Sequence, residues 1–180
     1  MNDSVRTHLK RYLVEQTTEN FLRLRDAVAN SPGYQPYADN MSVVDGLLEQ
    51  ENYEAARSHL MAMMPNLILN PGIHKLISFV LHKLDKTDDS QAEFALGMLF
   101  TQGILSTGEG SEAKPYLVLH TSDEYDIMEH LGKQFRKQAL VEKGDKHYDR
   151  QECEDGSAIW FDVTTPYNHL GRQMSGQPEA

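Results

Sequence analysis

The side chains best suited to chemistry crowd into one stretch, "HTSDEYDIMEH", where His120, Asp123, Glu124 and Asp126 fall within seven positions. Carboxylates and an imidazole this close could form an active site or hold a divalent cation. Their spacing matches no closed ligand set, and a third arrangement explains more of the residues. Thr121 with Glu124 three positions on makes a capping box, and Asp123 adds favourable charge to a first helical turn. Tyr125, Met128 and Leu131 continue as a helical stripe that Gly132 stops. The stretch is expected to open a helix and to present its acids as a recognition surface.

Other candidates for chemistry are sparser. His147 and Asp149 lie two apart on an expected strand, so they share a face and could pair or bind metal. His74 and His82 are eight positions apart on one helix, about two turns, and cannot ligate one ion. Cys153 has neither an adjacent histidine nor a helix N-terminus to activate its thiol. The loop "STGEGSEAKP" lacks the Lys-Ser/Thr pair of a phosphate-binding loop, and its two glutamates would repel phosphate. It reads as a flexible connection. No G-x-S-x-G, H-E-x-x-H or Cys-x-x-Cys occurs. The residues therefore predict no catalytic group, no metal site and no cofactor.

Helices are expected to fill the first 105 residues. Val5, Leu9, Tyr12 and Leu13 have helical spacing, as do Phe21, Leu24 and Val28, and "NSPGYQPY" ends the second segment. The run Ile73, Leu76, Ile77, Val80, Leu81, Leu84 is a strong amphipathic helix. "ENYEAARSHL" and "DDSQAEFALGML" have the cadence of tetratricopeptide-like helix pairs, without that repeat's consensus or period. After Ile104 the period changes. "PYLVLH" reads as a strand, and "QALVEK", "HYDRQECE" and "AIWFDVT" as a meander whose last turn is Asp155-Gly156. Ile159, Phe161 and Val163 should face the core, with Trp160 and Asp162 opposite. The expected fold is α+β, one domain over residues 1–170. A helical-hairpin, tetratricopeptide-like layer (1–105) packs on a small antiparallel sheet carrying one helix (106–167), and residues 171–180 form a mobile tail.

Charge narrows the function classes. The 180-residue chain carries −10, which argues against a nucleic-acid partner. The balance is uneven: residues 106–130 hold six acids against Lys114, and residues 131–150 hold six bases against three acids. No apolar run is long enough for a membrane span, and the opening "NDSVRTHLKRYLVEQ" lacks a signal-peptide core. One cysteine suits a reducing compartment, so a cytoplasmic location is expected.

Taken in order, "FLRLRDAVANSPGYQPY", "ENYEAA", "NPGIHKL", "GILSTGEGSEAKPYLVLHTSDEYDIMEHLG", "QALVEKGDKHYDRQE" and "IWFDVTTPY" resemble a bacterial family known only as a domain of unknown function. The resemblance runs from about Phe21 to Tyr167 and implies no activity and no catalytic residue. The expectation is a non-catalytic binding protein, of the immunity or antitoxin kind, whose acidic surface covers a toxin enzyme acting on nucleotides or nucleic acid. That surface would comprise Glu109, Glu112, Asp123, Glu124, Asp126 and Glu129, with Tyr125 and Trp160 as aromatic anchors. The alternatives are a small hydrolase using His120, His147, Asp149 and nearby acids, or a tetratricopeptide-like adaptor.

Overall fold

A computed structural model describes residues 2–37 and 41–175, with the side chains of residue 65 and of 172–175 left aside. Six helices come first: α1 (Asp3–Val14), α2 (Thr18–Ala29), α3 (Ser42–Glu49), α4 (Tyr53–Leu67), α5 (Pro71–Lys83) and α6 (Thr87–Leu105). Side-chain oxygens of Asn2, Thr17, Asn52 and Asn70 cap α1, α2, α4 and α5, each taking a free amide of the first turn. Beyond α6 come β1 (Tyr116–Leu117), α7 (Thr121–His130), β2 (Phe135–Lys143), β3 (Lys146–Cys153), β4 (Ala158–Asp162) and α8 (Thr164–Ser175).

The class is mixed helix and sheet, as expected, but three details differ. The sheet runs β1-β4-β3-β2 and is not wholly antiparallel, because β1 joins β4 in parallel. A parallel neighbour needs a long crossover, which no local pattern announces. The second half carries two helices, since the segment from Thr164 coils against β3 as α8. Residues 171–175 of the expected tail therefore belong to a helix, and 176–180 lie outside the described residues. The β3–β4 turn is also one residue longer than an Asp-Gly hairpin. Gly156 N–H donates to Cys153 O, Ser157 O accepts from Cys153 N–H, and Gly156 takes φ +83° at the third loop position.

Two cores hold these layers. Val44, Ala56, Leu60, Leu67, Ile73, Ile77, Val80 and Leu81 close one between α3, α4 and α5. The larger joins α1, α2 and α6 to the sheet and α7, through Phe21, Leu24, Phe100, Ile127, Met128, Ile159, Phe161 and Val163. Ile159, Phe161 and Val163 face inward as their alternation predicts. Polar bonds cross the same boundary. Tyr34 Oη donates to Leu119 O at 2.6 Å, and Arg25 Nη2 donates to Val118 O at 3.0 Å and Thr165 Oγ1 at 3.1 Å.

Candidate functional site

The acid-rich stretch begins a helix, but Asp123, Glu124 and Asp126 are turned away from solvent. His120, extended at φ −129°, is the cap, one residue earlier than expected, and Asp123 rather than Glu124 takes the third helical position. Asp123 Oδ2 accepts the amides of Leu119 and His120, both at 2.9 Å, and Oδ1 accepts Asn70 Nδ2 at 2.7 Å. Asn70 in turn caps α5 by accepting Ile73 N–H at 2.8 Å. Asp126 Oδ2 accepts Gly72 N–H at 2.9 Å and Asn70 Nδ2 at 3.1 Å. A side chain at Gly72 would run into that carboxylate. Two helix N-termini are thus tied through one asparagine and two aspartates. Burial, then the nearby Asp123, pushes Asp126 up to about 6.

Glu124 points into a second buried network. On β3 the side chains of Asp149 and Gln151 share the face that α7 covers. Gln151 Nε2 donates to Glu124 Oε2 at 2.5 Å, and Gln138 Nε2, from β2, donates to Asp149 Oδ2 at 2.6 Å. The Glu124 and Asp149 carboxyls are near enough that each bears on the other's ionisation. Two carboxyls buried side by side disfavour a second charge, so one of them keeps its proton. Burial, reinforced by the Asp149 charge, pushes Glu124 up to about 9, so it carries that proton at neutral pH. Burial raises Asp149 as well. Glu124 is 1% exposed and Asp149 4%, which closes the pair to any substrate in this conformation. Above it stand Tyr37 and Tyr125, half-exposed, whose phenols are raised by burial and by these two carboxylates.

The other expected contact residues scatter. Glu109 is paired with Lys114 at 2.7 Å, Glu112 with Lys143, and Glu129 with Lys75 at 3.0 Å. Trp160 lies on the sheet face away from α7, packed edge-on to Tyr148, with Lys143 Nζ 5.1 Å over its ring. Trp160 and Tyr125 therefore stand on opposite faces. Because Asp123 and Glu124 are interior and Asp126 is hydrogen-bonded between two helices, the six acids do not make one surface. His120 is buried edge-on to Tyr34, with Nε2 3.5 Å from Asn66 Oδ1. His147 stacks on Tyr167 with ring centres 3.7 Å apart. It shares a strand face with Asp149, as expected, but Asp149 is bonded to Gln138. Among the described residues no three His, Cys, Asp or Glu side chains converge as an ion would require.

What lies open is the outer edge of the sheet, which the motifs did not single out. β2 is the terminal strand, nine residues long and exposed over most of its length. Beside it Leu131, Phe135, Leu140 and Tyr125 are exposed at 39%, 43%, 49% and 48%. The Phe135 and Tyr125 rings meet edge-on at 5.8 Å. Arg136 and Lys137 are exposed, and Glu152, whose carboxyl they help hold low, is already bonded to Arg150. The alternation of "FRKQALVEK" was the available signal: its apolar positions are too few to cover both faces of a central strand. Comparison with protein-family models, with curated proteins and with solved structures found no match.

Proposed function

We propose that this chain is a non-catalytic binding protein that engages a partner protein through the face formed by α7 and β2. One observation carries this reading: four large apolar side chains, Tyr125, Leu131, Phe135 and Leu140, stand exposed on or near β2, whose outer edge pairs with no strand among the described residues. Exposing such a cluster to water costs free energy, which covering it in a complex recovers. Among the anchors expected from sequence, Tyr125 belongs to this face and Trp160 does not. Within the proposal, the partner is a toxin enzyme that the chain neutralises in a bacterial cytoplasm. The acidity of the chain supports that narrower step, although the acids left exposed at Glu109, Glu112 and Glu129 are each held by a lysine. No helix among the described residues is long and apolar enough to cross a membrane.

Co-expression tests the proposal. The chain should relieve the toxicity of a neighbouring gene product and co-purify with it, and Tyr125→Ala with Phe135→Ala should abolish both effects. Rescue by that double variant at wild-type strength would remove the α7–β2 face from the mechanism. Absence of binding and of rescue with every neighbour would remove the toxin partner.

A hydrolase is the second reading, favoured by two neighbouring carboxyls, Glu124 and Asp149, both raised by burial as in a carboxyl acid–base pair, which the chain would have to open to substrate. Its expected signature is ester, phosphoester or glycoside hydrolysis that disappears in Glu124→Gln while the fold persists. The adaptor reading draws no support from α3–α5, whose facing residues fill a core of their own.

A further inference from the structure

We infer that β2 is a docking edge for an extended, acidic segment of the partner, which adds to the sheet as a fifth strand beyond β2. This rests on the binding-protein reading and specifies what binds and how. Backbone geometry supplies the first part. Val163 N–H donates to His147 O and Cys153 N–H to Ser157 O, so odd-numbered β3 residues direct their main-chain groups toward β4. Glu154 N–H donates to Gln134 O, and the even-numbered β3 residues turn toward β2. With Leu140 opposite Asp149 and Val141 opposite Tyr148, the antiparallel alternation leaves the amides and carbonyls of Gln138, Leu140 and Glu142 pointing away from the sheet. β2 therefore offers a row of main-chain donors and acceptors to an incoming strand.

Side chains fix the chemistry of the occupant. Below the edge, on the α7 side, lie Tyr125, Phe135 and Leu140, an apolar ledge. Toward the other face stands Lys137, opposite Glu152, with Arg136 at the register shift between Phe135 and Lys137. The middle of the strand, Gln138-Ala139-Leu140-Val141, has no charge to repel a neighbour, whereas a guarded edge places charges there. A strand alternating acidic and apolar residues would meet both faces at once. A second copy of this chain fits poorly. β2 carries Arg136, Lys137 and Lys143 against Glu142 alone, so self-pairing brings two strands of net +2 together.

The probe is a fluorescein-labelled ten-residue peptide alternating glutamate and valine, compared by anisotropy at low salt with one alternating lysine and valine. The glutamate peptide should bind at least about tenfold more tightly. Leu140→Pro removes one outward amide without touching a bond to β3, and should weaken binding about tenfold. Arg136→Glu with Lys137→Glu, which alters only exposed side chains, should do the same with circular dichroism unchanged. Equal binding of the two peptides, no saturable binding, or indifference to the charge reversal in a folded variant would overturn the inference. So would a dimer of the free chain that Leu140→Pro dissolves, since the occupant would then be a second copy. If the chain still captures its toxin and relieves toxicity under any of these outcomes, the binding-protein reading stands and only the strand-addition step fails.

Discussion

α7 and β2 are neighbours in the chain and opposites in their use of charge. α7 carries acids, and three of them, Asp123, Glu124 and Asp126, are withdrawn from water and tied to amides, an asparagine and a glutamine. β2 carries bases, and Arg136 and Lys137 stand in solvent beside exposed apolar rings. The acidic stretch thus organises the interior, while the basic stretch faces outward. Charge density along the chain therefore predicted the wrong outer surface: a carboxylate is as good a receptor for main-chain amides as it is a solvated ion.

The largest effect should come from breaking the interior half of this contrast. Asp123→Ala would strand the amides of Leu119 and His120 and the Asn70 side chain, all buried or nearly so. A loss of about 3–5 kcal/mol is expected in urea unfolding, since each unsatisfied group costs about 1–3 kcal/mol and the site can partly relax. Asp123→Asn should lose less, because one oxygen still accepts. A loss under about 1 kcal/mol for Asp123→Ala would mean that water replaces the carboxylate, and the site would then be open rather than interior.

The Glu124–Asp149 pair sharpens the same contrast through pH. Glu124 is pushed up to about 9 in the folded chain and returns to about 4.3 on unfolding. Its contribution is thus fully present below about 4.3 and is lost as pH rises through about 9. Urea midpoints of the wild type should fall between pH 5 and pH 9. Glu124→Gln keeps an acceptor toward Gln151 but cannot titrate. It should match the wild type near pH 5 and exceed it at pH 9 by about 1–3 kcal/mol, with the slope bounded by about 1.4 kcal/mol per pH unit per proton. Parallel pH profiles for the two proteins would mean that the pair is hydrated and ionised.

How much of this was legible in the sequence depended on whether the deciding contact was local. The amphipathic period of α5 and the alternation of Ile159, Phe161 and Val163 announced themselves, because each reports one face against one core. The helix start after β1 was legible too, although its cap shifted from Thr121 to His120. The sheet order and the burial of Glu124 were not. Glu124 finds Gln151, 27 positions away, and Asp149 finds Gln138 across a hairpin. An acid in a first helical turn looks the same whether its helix is half-solvated or laid on a sheet. Neither did any spacing separate Glu109, held by Lys114, from a free surface charge.

On the exposed side, Tyr125→Ala and Phe135→Ala together remove an edge-on ring pair that is half in water. Folding should lose about 1 kcal/mol at most, since such pairs contribute about 0.5–1.5 kcal/mol and these rings are only partly buried. Partner affinity should fall about tenfold or more, as for a truncated aromatic anchor. A variant that loses stability heavily while binding normally would make this patch a satellite of the core, and the inside–outside division would fail on its outer side.

The smallest effect is expected where the sequence alone pointed most strongly. Glu109 and Glu112 are exposed and lysine-bound, and they sit on the loop that runs to the Trp160 face of the sheet, not beside Tyr125. Reversing both to lysine changes the net charge by +4 and strips Lys143, at the end of β2, of its Glu112 partner, so the docking edge feels a more positive field at low salt. If the partner docks at β2 with an acidic strand, that field attracts it, and association should quicken by about two- to threefold while dissociation stays constant. If instead these acids are the working surface that enters a basic cleft, the reversal should slow association by about tenfold or more and weaken with added salt. The two readings thus predict changes of opposite sign in one stopped-flow measurement, made on a variant whose altered side chains are all in solvent.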